Sequence, residues 1–229
     1  MKKCNVMTKV LMLAAGLAAT IGIAFASEGA GVSADQALQK LMDGNARYVQ
    51  SKMGACTASD ASARAKLATS QHPYAIILSC SDSRVPPELI FDQSLGEIFV
   101  IRVAGNVADP IVLGSIEYAS EHLGSPLVMV LGHERCGAVT ATVNAKGKAE
   151  GNIGAIVKAI EPSAKKAQKM CKGKSKDEIV ECAVSMNAKA VAASLTKKSK
   201  VLAEQLKEGK IKIVAAKYDL DDGKVTLLP

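Results

Sequence analysis

Cys80-Ser-Asp-Ser-Arg84 and His133-Glu-Arg-Cys136 supply two thiols, one imidazole, one carboxylate and one guanidinium, each segment placed just after a run of apolar residues. Cys, His and Cys are side chains that Zn²⁺ favours, and a set of three leaves the fourth tetrahedral position open for chemistry. Asp82 adds a carboxylate able to manage the proton of a metal-bound water. Arg84, as a bidentate partner, would hold that carboxylate in place and ionised. Without the pairing, Asp82 would be free to turn and ligate the metal itself, so these residues allow an open state and a self-blocked one. Taken singly, the cysteines also read as inert packing residues or a disulfide, and Asp82 with Arg84 as a surface ion pair. Their positions at strand ends, and a His three residues before Cys136, favour a metal. Of the three histidines, His72 precedes Pro73 in a loop and His122 sits in a helix, so a three-imidazole site is not expected.

The elements that must position these groups are legible as punctuation. Ser33-Ala-Asp-Gln36 has capping-box form and opens a helix through Tyr48, and a polar, Ala-rich stretch from Ser59 to Ser70 predicts another. Tyr74–Ser79, Glu97–Val103, Leu127–Leu131 and Ile211–Ala216 are short apolar runs that suit strands buried on both faces. Asp109-Pro110 places an N-cap before Pro at the first helical position, opening a helix to Leu123. A long helical region fills residues 152–208, with breaks expected near Pro162 and Lys172-Gly-Lys174, and Val225–Leu228 follows an Asp-Asp-Gly turn as an edge strand. The fold class is therefore α/β: a single domain with a mostly parallel four-stranded central sheet plus an edge strand, flanked by helices. Ligands in such sheets bind beyond the carboxyl ends of the strands, where Cys80 and His133 lie. The His133/Cys136 spacing predicts one turn at the start of a helix, aiming both side chains the same way.

Several segments resemble the β-class carbonic anhydrases of exported bacterial type, over a span from about Asp35 to the C-terminus. They are Cys80-Ser-Asp-Ser-Arg-Val-Pro-Pro87, Phe99-Val-Ile-Arg-Val-Ala-Gly-Asn106, Ser115-Ile-Glu-Tyr-Ala119, Gly132-His-Glu-Arg-Cys-Gly137 and Tyr218–Val225. The resemblance implies Cys80, His133 and Cys136 as zinc ligands, with Asp82 a fourth ligand only in a closed form. It implies Asp82 and Arg84 as the catalytic dyad, and reversible hydration of CO₂ to bicarbonate and a proton by attack of zinc-bound hydroxide. It implies Gln71, Phe99 and Tyr118 as substrate-pocket residues, and a pocket formed between two subunits of a homodimer or higher homo-oligomer. One subclass is switched off by bicarbonate at a site using a Trp three residues before the first ligand Cys. Ile77 stands there and the chain has no Trp, which favours the open subclass although Arg102 matches another position of that site. The same scaffold also admits hydrolysis of CS₂ or COS. A non-catalytic zinc-stabilised binding protein and a thiol-redox protein are weaker alternatives, since neither a fourth strong ligand nor a Cys-x-x-Cys is present.

Composition bounds the rest. Residues 1–26 combine a basic head (Lys2, Lys3, Lys9), an apolar run from Val10 to Phe25 and an Ala24-Phe-Ala26 cleavage pattern, a secretory signal peptide. The domain then spans 27–229, expected in the periplasm with no stable membrane insertion. Loss of the three lysines takes the net charge from +7 to +4, and seven aromatics without Trp give little to stack on bases, so nucleic acid is not an expected partner. In an oxidising compartment Cys171 and Cys182, flanking a Lys/Gly segment, are a possible disulfide, two unpaired thiols being the alternative, and Cys56 is left over.

Overall fold

A computed structural model describes residues 31–55, 59–145, 147 and 149–229; the signal-like segment 1–26 and Cys56 lie outside them. In chain order, α1 (Ala34–Val49) and α2 (Ala61–Leu67) lead into β1 (Ala75–Ser79). A short α3 (Pro87–Ile90) then precedes β2 (Ile98–Arg102), followed by a 3₁₀ turn (Ala104–Asn106), α4 (Pro110–Glu121) and β3 (Leu127–His133). Next come α5 (Gly137–Val143), α6 (Ile153–Met170), α7 (Lys176–Lys198), α8 (Lys200–Lys207), β4 (Lys212–Tyr218) and β5 (Val225–Leu228).

The strands form one sheet in the order β2-β1-β3-β4-β5. The first four are parallel, and β5 runs antiparallel along β4. β1 and β3 are buried along their whole length, as near-continuous apolar runs inside an α/β sheet require. Alternate residues feed two cores. Ala75, Ile77, Met129 and Leu131 pack with Leu41, Ile160, Val180 and Val184 on one face. Ile76, Leu78, Val128 and Val130 pack with Val112, Ile116, Val191 and Leu195 on the other. The chain steps from β1 outward to β2, then returns past β1 to β3. The carboxyl ends of β1 and β3 therefore flank the reversal of direction where such sheets open a crevice. Ser79 pairs with Leu131, so Cys80 emerges beside Gly132-His133.

Caps at Ser33 and Asp109 form as expected: Ser33 completes a capping box with Gln36, and Asp109 Oδ1 accepts the Val112 N–H at 2.8 Å. Three expectations need correcting. β2 is an edge strand and only partly buried. α6 runs straight through Pro162, which is exposed on the helix, as is Lys158, whose carbonyl the proline leaves unbonded, so water can satisfy it. The helical region does break around Lys172-Gly-Lys174, as expected, and breaks a further time, not expected, at Ser199, whose side chain caps α8 through the Leu202 N–H.

A disulfide joins Cys171, just after α6, to Cys182 in the second turn of α7. It closes the polar connection between two helices that pack against each other. Replacing both cysteines by Ser should lower unfolding free energy by about 3 kcal/mol, the loop-closure entropy for a crosslink of this span. Urea denaturation of wild type and variant would measure it, and equal midpoints would contradict it.

Candidate metal centre

Cys80 follows the last residue of β1, His133 ends β3, and Cys136 is the N-cap residue of α5. His133 and Cys136 are thus joined by a turn rather than carried on a helix, and Arg135 within it has φ +50°, a left-handed conformation unusual for a side-chain-bearing residue. Cys80, His133 and Cys136 are all buried, at 5%, 1% and 1% exposure. Their candidate donor atoms lie within 4.8 Å of one another.

That arrangement fits a tetrahedral zinc, two of whose sulfur or nitrogen ligands stand roughly 3.5–4 Å apart at normal bond lengths. The imidazole is already set for the role. His133 Nδ1 lies 2.9 Å from the Glu134 carbonyl, which can only accept, so Nδ1 carries the proton and Nε2 presents its lone pair. Nε2 is buried without a hydrogen-bond partner, an expensive condition that a metal would relieve. The Cys80 thiol is pushed down, first by a hydrogen bond from the Cys136 thiol, then by those from the N–H groups of Gly105 and Asp82, against the opposing effect of burial. Cys136 is pushed up by the same shared bond, by burial and by the Cys80 charge, so without a cation the pair ionises once.

The Cys80 thiolate is held from the adjoining turn: the Gly105 N–H donates to Sγ at 3.3 Å. Gly105 has φ +70°, a conformation that favours glycine, and a Cβ there would also displace the end of the Ile160 side chain, whose Cδ1 would lie 2.6 Å away. Its carbonyl accepts from buried Asn187 Nδ2 of α7 at 2.9 Å. Asp82 accepts from Arg84 three times, from Nε to Oδ1 (2.9 Å), Nη2 to Oδ2 (2.8 Å) and the backbone N–H to Oδ1 (3.0 Å). These bonds, led by the guanidinium, hold the Asp82 carboxyl far below the usual carboxylate range. Oδ2 lies 3.9 Å from His133 Nε2. Arg102 at the end of β2 donates from Nε to the Cys80 carbonyl at 3.0 Å and from Nη2 to the Asp82 carbonyl, pinning the loop that carries Cys80, Asp82 and Arg84. Sequence reasoning missed Asn187 altogether and gave Arg102 no part in positioning, because both act across long sequence separations.

Gln71 and Tyr118 line a separate groove of about 870 Å³ with Leu95, Ile98 and His122. Phe99 does not line this groove but packs behind it, its ring centroid 6.3 Å from that of Tyr118. None of Cys80, His133 and Cys136 lines this groove. Gln71 precedes β1 and Cys80 follows it, so the strand, roughly 16 Å long at about 3.3 Å per residue, separates them.

A family model described as carbonic anhydrase matches residues 75–225, a span that includes Cys80, Asp82, Arg84, His133 and Cys136. The chain is 40% identical over 194 residues to a carbonic anhydrase of Mycolicibacterium smegmatis, covering 83% of this chain and 91% of that one. It is 39% identical, with the same coverage, to carbonic anhydrase 2 of Mycobacterium tuberculosis. The solved β-carbonic anhydrase of Coccomyxa in complex with acetazolamide superposes with a TM-score of 0.68 at 26% identity, over 83% of this chain and 86% of that one. The β-carbonic anhydrase CafA of Aspergillus fumigatus does so with 0.68 at 27%, over 85% and 89%. On the matched span, the relatives and the shared five-stranded architecture, the chain belongs to the β-class of the carbonic anhydrase family.

Proposed function

We propose that this carbonic anhydrase hydrates CO₂ reversibly at a zinc held by Cys80, His133 and Cys136, with Asp82 and Arg84 as its dyad. The observation that carries the reading is the convergence of two sulfurs and an unpartnered buried imidazole nitrogen beside a carboxylate that is already engaged by an arginine. Zinc bound there would supply a Lewis acid able to activate water at neutral pH. Asp82 Oδ2 accepts a hydrogen bond from the reacting water and turns a lone pair toward the carbon of CO₂. The new C–O bond yields bicarbonate, and one proton leaves to solvent. Arg84 keeps the carboxylate ionised and engages both of its oxygens, which supports the open form, as does Ile77 in place of Trp. Stopped-flow CO₂ hydration on metal-analysed protein tests this. Fast turnover is expected with one zinc per chain, and a zinc-loaded protein that does not turn over CO₂ would overturn it.

The working unit in this reading is a homodimer, or an assembly of homodimers, in which the Gln71/Tyr118 groove of one protomer, backed by Phe99, faces the metal centre of its partner. Tyr118 and Leu95 are about half exposed on that groove and await a covering surface. Mixing Asp82→Asn with Gln71→Ala under subunit exchange should then recover about a quarter of wild-type activity, since half of the dimers carry one intact site in a two-fold assembly. Recovery no greater than the sum of the separate variants would place Gln71 in its own subunit's site. Export is supported by the segment 1–26 and by the Cys171–Cys182 disulfide, which suits an oxidising compartment. Among the described residues no helix is long and apolar enough to cross a membrane.

A further inference from the structure

The turn between His133 and Cys136 is braced from α7 and β4. The Arg135 N–H, on the left-handed residue, donates to Glu181 Oε1 at 2.8 Å. The Glu134 N–H donates to the Tyr218 carbonyl at 3.1 Å. The Arg135 guanidinium forks onto Asp221 at 2.9 and 2.8 Å, and Glu134 pairs with Lys217 at 2.8 Å. Lys217 also lies 3.6 Å from Glu181 Oε2. Glu134, Asp219 and Asp221 converge, but Lys217 engages Glu134 and Arg135 engages Asp221. The cluster therefore reads as a clamp rather than a second metal site. Within it Glu181 takes the backbone N–H of the strained residue, and the next residue, Cys182, carries the disulfide that ties α7 to the end of α6.

We propose that Glu181 is a positioning residue of the metal centre: it pins the left-handed Arg135 peptide, fixes His133 and Cys136 at the separation a metal needs, and passes to the centre the anchoring of α7 by the Cys171–Cys182 disulfide. A non-glycine residue persists at positive φ only where its surroundings over-determine it. Without an acceptor on Glu181, the Arg135 N–H loses its partner and the turn relaxes toward negative φ, carrying Cys136 away from His133. The disulfide holds the start of α7, and hence Glu181, against that relaxation. Asn187, further along α7, acts on the Cys80 side through Gly105, so a single helix braces both halves of the site.

The proposal rests on the zinc reading above, and the test separates the two. The measurement is the rate of zinc transfer from full-length protein to a chromophoric chelator. Wild type should carry one zinc per chain; if it carries none, the zinc reading fails and this inference with it. Glu181→Ala should lose zinc on the order of 10-fold faster, in line with the 10–100-fold effects of outer partners on metal affinity. Glu181→Gln, which keeps an oxygen acceptor, should return the rate most of the way to wild type. Glu181→Met, similar in bulk but without an acceptor, should behave as Ala and serves if Ala folds poorly. Cys171→Ser/Cys182→Ser should also speed release, and adding Glu181→Ala to it should give less than the product of the separate effects. Wild-type release from Glu181→Met, no rescue by Gln, or strictly multiplicative effects with the disulfide variant would each overturn the inference in a protein that does hold zinc.

Discussion

Replacing His133 by Ala should strip the protein of zinc and reduce CO₂ hydration to the uncatalysed rate, a loss of about 10⁶-fold at the lower end of enzymatic accelerations. The structure explains why no neighbour can substitute. His133 is one of the two residues that β3 and its following turn bring to Cys80, and its Nε2 is the buried atom left without a partner. The nearest alternative donor, Asp82, has both oxygens on Arg84. Chelation of the wild type should produce the same loss, but with one difference: added zinc should restore the stripped wild type and leave His133→Ala inactive. The pH dependence has a definite sign. Zinc requires both thiols ionised, whereas the metal-free pair ionises only once, with Cys136 pushed up. Binding therefore displaces protons, and zinc retention should fall as pH falls. Metal content and activity measured on the same samples across pH would check this, and full activity in metal-free protein would end the argument for this centre.

What the sequence makes visible, and what it hides, divides along range. Cys80 and His133 could be placed at one sheet edge because each follows an uninterrupted apolar run. A run of that kind admits little besides a strand covered on both sides, as β1 and β3 prove to be. The caps at Ser33 and Asp109 are equally local, each an oxygen meeting an N–H three residues on. Pro162 misled because a proline's cost depends on whether the freed carbonyl meets water, and that depends on which face of α6 is outside. β2 misled because its apolar content does not say that it lies at the edge of the sheet. Above all, the groups that hold the centre still are joined over long separations: Asn187 to Gly105, Glu181 to Arg135, Arg102 to Cys80. A polar residue on a mostly apolar helix was the available signal at Asn187. In α7 it is obscured, since that helix packs into both cores and shows no single apolar stripe.

Asp82→Asn should lower kcat/KM for CO₂ hydration by about 10²–10⁴-fold, the range for removing a positioned proton-managing group, while zinc content stays at the wild-type level. The amide keeps the size of the carboxylate but loses its charge, and presents a donor where the reacting water needs an acceptor. Arg84 should be required through Asp82 rather than alone. Its bonds are the largest reason the Asp82 carboxyl sits far below its ordinary range, so Asp82 stays ionised wherever the enzyme is folded and working. Those bonds also restrain Oδ2, which lies 3.9 Å from His133 Nε2 and needs little rotation to reach a shared metal. Arg84→Ala should therefore lose activity to a similar extent, with zinc held more tightly because the freed carboxylate closes the open position. Lys at 84 offers a point charge without the fork that engages both oxygens, so it should rescue poorly. The decisive measurement is the double variant: Asp82→Asn/Arg84→Ala should be no slower than Asp82→Asn, because the arginine then has nothing left to restrain. Multiplicative losses would show that Arg84 acts on substrate directly and that the pair is not a single device.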